Sequence, residues 1–356
     1  MTRVCHMTSA HSQEDDRIFL KECLSLADAG YEVYEVAKGN SYDKDGVHII
    51  GVGAIPENRI KRMLQGAKSV YTKALELNCD IYHFHDPELL PYGLKLKKKG
   101  KKVIFDSHED VPGQIMDKEW IPKPFRKIIS GLYRSYETYA VSELDAVVAA
   151  TPHIAEKFEG RAQKVVIINN YPKLDDIVYH TTPFSKREPI VCYAGGINEL
   201  RGEKIMIEAM RDVDGVLIIA GDHEKMELGG GIVRYLGRLD RTAINALYRQ
   251  SVLGLCILKP IENYYYSQPI KIYEYMAAGL PFICSDFPGW KQIVEESKAG
   301  ICVNPNDTKL IREKIKELLL NRDRAQQMGR NGHDYVIAHC TWSVEENKLC
   351  LLYKDI

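Results

Sequence analysis

The sequence predicts an α/β protein made of two doubly wound parallel-sheet domains, and three observations lead there. Short runs of β-branched and apolar residues alternate with amphipathic helical stretches from one end of the chain to the other. Those runs are almost continuously apolar, as strands covered by helices on both faces must be. The chain, at 356 residues, is long for one hydrophobic core, and the alternation breaks once, near Asn169–Pro189, where turn formers and three prolines interrupt it.

Taken in order, the first series of strands is expected at Val4–Met7, Val33–Ala37, Val47–Val52, Ile81–Phe84, Val103–Asp106, Ala146–Ala150 and Val165–Ile168. Helical patterns lie between them, such as Arg17–Ala29, closed by Gly30, and Arg59–Leu77. The second series falls at Ile190–Ala194, Val216–Ala220, Ile232–Leu236, Leu253–Leu258, Phe282–Ser285 and Gly300–Val303. The expected division is a first domain over 1–172, a linker over 173–189 and a second domain over 190–330. A helical tail over 331–356, carrying Trp342, is expected to pack back on the first domain. Two facing sheets of this kind leave a cleft at the carboxyl ends of their strands, so functional residues are sought just after strands.

Composition removes several classes. Apolar content of 45% and charged content of 27% are those of an ordinary globular protein. A net charge of −1 argues against general nucleic-acid binding. No apolar run reaches the length of a membrane span, and the amino terminus, polar by Ser9, has no signal-peptide profile, so a cytoplasmic protein is expected. The nine cysteines are odd in number and scattered, with no Cys-x-x-Cys pair. They read as small core residues in a reducing compartment.

The densest chemistry lies in Ser267–Pro281. It reads as a loop, a short helix opened by Pro269 and ended by Gly279, then the strand Phe282–Ser285. Free amides at such a helix start attract anions. Lys271 and Glu274 sit in its first turn and a half, and this combination suits a nucleoside diphosphate: amides and ammonium for the diphosphate, carboxylate for the ribose hydroxyls. By itself, a lone glutamate such as Glu274 is more often a carboxylate favoured near a helix start than a ligand-binder.

The whole string resembles the donor-binding segment of retaining glycosyltransferases of family 4. Their Pro-x-Lys-x-x-Glu-Tyr-Met-Ala-x-Gly-x-Pro signature falls on Pro269, Lys271, Glu274, Tyr275, Met276, Ala277, Gly279 and Pro281. The resemblance extends over nearly the whole chain and implies the glycosyltransferase-B (GT-B) fold, with two facing Rossmann-like domains. It places Ser267 and Gln268 with the donor-binding residues. Relatives usually carry a further glutamate eight positions before the one matching Glu274; here that place is Tyr266, and Glu262 is out of register.

After the first strand of the second domain comes Gly195-Gly196-Ile197-Asn198-Glu199-Leu200-Arg201-Gly202. The glycines admit a ligand close to the backbone, and Arg201 offers bidentate phosphate geometry. Relatives usually read Gly-Arg-Leu and then Lys-Gly. Here Gly196 stands for the arginine and Arg201 for the lysine, which leaves one cation fewer at the diphosphate.

In the first domain, His83-Phe84-His85-Asp86-Pro87-Glu88 and Asp106-Ser107-His108-Glu109-Asp110 follow adjacent strands. A metal site is disfavoured here, for want of compact spacing and because His83 and His85 are read as lying on opposite strand faces. The resemblance sets His108 beside the donor sugar, with His85, Asp86 and Glu109 on the acceptor side. His11 joins them from Met7–Ser12, read as a loop, while Asp16 and Arg17 are read as capping the next helix. Gly51-Val52-Gly53 lacks the third glycine of a dinucleotide fingerprint, and Asp212-Val213-Asp214 falls at the amino edge of its sheet.

The resemblance implies transfer of a hexose, with retention, from a UDP- or GDP-sugar to a hydroxyl acceptor. A glycan or lipid-linked glycan of bacterial surface polysaccharide (capsule, O-antigen or exopolysaccharide) is the implied acceptor. His108, Arg201 and Lys271 would carry the catalysis, with no cofactor and no metal. A nucleotide-sugar 2-epimerase of the same fold and an inactive nucleotide-sugar-binding subunit are the alternatives. In 118–134, Trp120-Ile121-Pro122-Lys123-Pro124-Phe125-Arg126-Lys127-Ile128-Ile129 interleaves cations with apolar side chains, suggesting peripheral contact with the inner face of a membrane.

Overall fold

A computed structural model describes residues 1–56, 58, 61–118, 121–222 and 231–356. Arg59, Trp120 and the side chain of Glu262, named above, lie outside the described residues. The chain divides into two compact units, Met1–Asn170 with Ser343–Ile356, and Tyr171–Trp342.

The first unit is built on strands β1 (Arg3–Ser12), β2 (Glu32–Lys38), β3 (Tyr42–Lys44), β4 (Val47–Gly51), β5 (Ile81–Phe84), β6 (Lys102–Ser107), β7 (Ala146–Ala149) and β8 (Val165–Ile167). They form one sheet in the order β3-β4-β2-β1-β5-β6-β7-β8. Every pairing is parallel except β3 with β4. The antiparallel edge β3 was not foreseen: Tyr42-Asp43-Lys44 is too short and polar to read as a strand. β1 also runs to Ser12, beyond the expected Met7, with a break in register before Ser12. His11 therefore lies on the tail of a strand rather than in a loop.

The next helical segment opens as a wide π-type turn, Ile18–Cys23, continues as Leu24–Asp28, and ends before Gly30 at φ +89°. Its start is capped by neither Asp16 nor Arg17. Asp15 Oδ1 accepts from the amides of Arg17 and Ile18 at 2.9 and 3.1 Å, Asp16 holds Lys21 Nζ at 2.6 Å, and Arg17 turns into the core.

The second unit is a wholly parallel sheet of β9 (Ile190–Ala194), β10 (Val216–Ala220), β11 (Val233–Tyr235), β12 (Leu253–Cys256), β13 (Phe282–Ser285) and β14 (Gly300–Val303), in the order β11-β10-β9-β12-β13-β14. Residues 173–189, read as a linker, belong to this unit: Phe184 is buried, and Arg187 Nη1 donates to the Ser251 carbonyl at 2.8 Å. The tail divides. Helix Arg322–His339 packs in the second unit, while helix Trp342–Asp355 falls almost wholly in the first, where Glu345 accepts from the Asn169 amide at 2.9 Å.

Sheet order sets where chemistry can sit. β1 lies between β2 and β5, and β9 between β10 and β12, so each unit reverses its winding at its first strand. The carboxyl ends beside that switch are the open crevices of a doubly wound sheet.

Candidate donor and acceptor sites

In the second unit, β9 ends in a turn at Gly195, whose φ of +132° an L side chain rarely adopts. A Cβ there would sit 3.4 Å from both Cε and Nζ of Lys271, and one at Gly196 would sit 3.0 Å from Arg201 Nη1. The two cations therefore converge on one short stretch of backbone. Arg201 Nη1 donates to the Gly196 carbonyl at 2.8 Å, and the Lys271 ammonium lies 4.8 Å from the centre of the Tyr193 ring.

The helix carrying Lys271 spans Ile270–Ala277, preceded by Pro269; the chain turns off at Gly279 with φ +72°. Its Ile272, Tyr273, Tyr275 and Met276 are buried, which leaves Lys271 and Glu274 on the less covered side. Glu274 accepts from Arg241 Nη1 at 2.8 Å and from the Tyr248 hydroxyl at 3.0 Å. With Gly195, Gly196, Asp222, Arg238 and Arg241 it lines a cavity of about 330 Å³. Ser267 and Gln268 are half-buried ahead of the helix. The Ser267 carbonyl accepts from Trp290 Nε1 at 2.7 Å and its hydroxyl donates to the Tyr264 carbonyl at 2.9 Å, so this loop is held from both sides. Arg241 and Tyr248, on helix Arg241–Gln250, were not picked out from the sequence. Nothing local marks them, since their link to Glu274 spans about 30 positions of chain.

In the first unit, His11, His85, Asp86, Asp106 and His108 gather at the carboxyl ends of β1, β5 and β6. His108 Nε2 lies 3.1 Å from Asp106 Oδ2, and its ring centre lies 5.5 Å from those of His11 and His85. Asp106 is fully buried and bound by Arg17 through Nε and Nη2 at 2.9 and 3.1 Å. Burial pushes this carboxyl up, but Arg17 and then His108 outweigh it and hold it well below the usual carboxylate range. Asp86 Oδ2 accepts from Thr8 Oγ1 at 2.8 Å and from the amides of Ser9 and Ala10 at 2.6 and 3.1 Å. It braces the tail of β1 and presents only Oδ1 toward His11, at 3.7 Å. His11 is raised from its ordinary value, chiefly by its contact with Asp15 at 3.2 Å.

Glu109 is exposed and pairs with Gln114, while Asp110 caps helix Val111–Asp117 through the Gly113 amide at 3.0 Å. His83 and His85 do not lie on opposite faces. Residues two apart on a strand share a face, and the two rings stack with centres 4.8 Å apart. His6, Glu22 and Tyr353 complete this buried polar group and were missed, because each reads locally as strand or helix filler; Arg17, read as a cap, joins them by binding Asp106.

Residues 19–171 match the family described as Glycosyltransferase Family 4, and residues 179–335 match Glycosyl transferases group 1. The chain belongs to this GT-B family of glycosyltransferases. Over 76 residues it is 34% identical to the GDP-mannose-dependent alpha-(1-6)-phosphatidylinositol monomannoside mannosyltransferase of Mycobacterium tuberculosis, a stretch covering 21% of this chain and 20% of that protein. The match thus spans about a fifth of that relative's length. The sucrose-phosphate synthase of Thermosynechococcus elongatus superposes with a TM-score of 0.79 at 16% identity, covering 100% of this chain and 99% of that one. Anabaena Alr3699/HepE in complex with UDP and glucose gives 0.74 at 12% identity, with both chains fully covered (100%).

Proposed function

We propose that the protein transfers a hexose, with retention of configuration, from a nucleoside diphosphate sugar to a hydroxyl acceptor. One observation carries the reading: Arg201 and Lys271, from separate segments, meet at the Gly195–Gly196 turn within a few ångströms of the cavity that Glu274 lines. Two cations beside open backbone suit the charge that builds on a departing diphosphate. Glu274, already oriented, suits ribose hydroxyls. The UDP bound by the Anabaena structure and the GDP-mannose in the name of the mycobacterial relative support this donor class.

On this reading His108 stands beside the donor sugar, with His11, His85, Asp86 and Glu109 toward the acceptor. The leaving diphosphate is balanced by side chains and helix amides, and the chemistry needs no metal. Thermal-shift screening against UDP, GDP and their sugars selects the donor. Product analysis by NMR then reports the anomeric configuration of the transferred sugar. Inversion would defeat the retaining assignment, and conversion of the sugar nucleotide without acceptor would favour the epimerase.

The acceptor is proposed to be a lipid-linked glycan of bacterial surface polysaccharide, met at the inner face of a membrane. Helix Lys123–Glu143 exposes Phe125, Ile128, Leu132 and Tyr139 along one stripe, while Lys123, Lys127 and Arg134 gather on the other side of its exposed surface, at roughly 100° of turn per residue. Each basic residue near an anionic surface contributes about 1 kcal/mol. No helix among the described residues is long and apolar enough to cross a membrane, so contact would be peripheral. Flotation with anionic liposomes at low salt decides it; protein left at the bottom removes membrane contact.

A further inference from the structure

The buried polar group under the strand ends of the first unit is more than a support for His108. His6 on β1, His83 on β5, His85 just after it and Glu22 on the turn Ile18–Cys23 have exposures of 0, 0, 2 and 0%. His6 Nδ1 lies 3.0 Å from His85 Nε2. Glu22 Oε2 lies 3.8 Å from His6 Nδ1, 3.8 Å from His83 Nδ1 and 3.9 Å from His85 Nε2. Those separations are too long for hydrogen bonds. Although Glu22 Oε1 sits 3.0 Å from Arg17 Nε, neither Glu22 oxygen makes a hydrogen bond, and His83 Nε2 makes none either. A fully buried carboxylate oxygen almost equidistant from three ring nitrogens marks a centre among them.

The size of that centre identifies its occupant. The triangle of His6 Nδ1, His85 Nε2 and Glu22 Oε2 has a circumradius of about 2.1 Å, close to the Zn–N and Zn–O bond lengths of ~2.0–2.2 Å. A water, which needs about 2.8 Å to each partner, fits only by standing well out of that plane. The outer contacts agree. His85 Nδ1 faces Asp106 Oδ2 at 3.4 Å, and His6 Nε2 faces the Tyr353 hydroxyl at 3.3 Å. The His6 ring is thus held by its far nitrogen, the usual arrangement around a ligating histidine, whereas His85 Nδ1 faces Asp106 without a hydrogen bond and the two near nitrogens lie within hydrogen-bond distance of each other. His83, whose Nδ1 is 2.8 Å from the same hydroxyl, completes the set through one of its ring nitrogens.

We propose that His6, His83, His85 and Glu22 bind a divalent transition ion of the zinc class in a closed, structural site. Three imidazoles and one carboxylate favour such an ion over magnesium or calcium, which prefer all-oxygen shells. Four protein ligands leave no open position for substrate. The ion ties β1, β5 and the Ile18–Cys23 turn together and, through Tyr353, the helix Trp342–Asp355. Asp106 reaches both His85 and His108, so the clamp also fixes the floor on which His108 stands. The site is independent of the glycosyl-transfer reading.

The test uses the full chain. Metal content is measured as purified, the ion is stripped with a chelator, and Co²⁺ is titrated back while visible absorption and melting temperature are followed. Expected are about one ion per chain, the ligand-field bands of four-coordinate cobalt, and a rise in melting temperature. Glu22→Gln should weaken cobalt binding at least ~10-fold. A stripped chain that takes up no cobalt, or bands that persist unchanged in Glu22→Gln, overturns the proposal. Should that variant not fold, the wild-type spectrum decides: bound cobalt showing the weak bands of a six-coordinate, oxygen-rich shell means the ion sits elsewhere.

Discussion

Arg241 holds Glu274 in place, with Nη1 donating to Oε1 at 2.8 Å, although helix Arg241–Gln250 and helix Ile270–Ala277 are far apart in the chain. The carboxylate on which ribose recognition is proposed to rest is therefore aimed before any ligand arrives. On the proposed reading Arg241 is a positioning residue for that carboxylate.

Removing that carboxylate should weaken donor capture. Hydrogen bonds to a charged group contribute about 1.5–3 kcal/mol, so Glu274→Ala is expected to raise the donor KM roughly 10- to 100-fold with a smaller change in kcat. Arg241→Ala should shift KM in the same direction by less. Steady-state kinetics with the selected sugar nucleotide measure both; an unchanged KM in Glu274→Ala would mean that the nucleotide lies elsewhere.

The paired cations are proposed to act later on the reaction path. Lys271→Ala or Arg201→Ala should lower kcat by about 10²-fold, the usual effect of losing one stabiliser of developing charge. Full turnover in both variants is incompatible with a diphosphate at the Gly195–Gly196 turn.

His108 lies in the first unit, whereas the proposed nucleotide contacts lie in the second. His108→Ala should suppress transfer strongly while calorimetric affinity for the free nucleoside diphosphate stays within about 2-fold. A matching loss of nucleotide affinity would contradict its assigned place.

Glu35, fully buried on β2, offers a pH test separate from catalysis. Burial, then the charges of Asp15 and Glu14, push its carboxyl up to about 8. The folded chain thus keeps a proton that the unfolded chain releases above the ordinary glutamate value of about 4.3. Stability is full below that value and falls as pH rises toward 8, by up to ~1.4 kcal/mol per unit, then levels. Glu35→Gln should remove this slope, so its advantage in melting temperature over wild type grows between pH 5 and about 8. Parallel curves for the two proteins would refute the assignment.

The sequence was most informative where structure is local. Most strands appear within one or two residues of their expected limits, because a buried parallel strand is a short apolar run wherever it occurs. Pro269, Lys271, Glu274 and Gly279 fall as expected because a helix start and a left-handed stop are written in adjacent residues. The error at His83 and His85 was different in kind, since the two-residue period of a strand already held the answer.

The amino-acid order alone determined two doubly wound units, a short helix bearing a lysine and a glutamate, and chemistry at strand ends. Tertiary structure decided that Arg241 aims Glu274, that Arg17 enters the core to bind Asp106 instead of capping a helix, and that His6, Glu22, His83 and His85 share one buried centre. It also divided the tail expected on the first domain, keeping helix Arg322–His339 in the second unit and only helix Trp342–Asp355 with the first. Propensity and periodicity act over a few residues, whereas these contacts join segments brought together only when the sheets close, and no local pattern encodes which distant side chain will meet a buried charge.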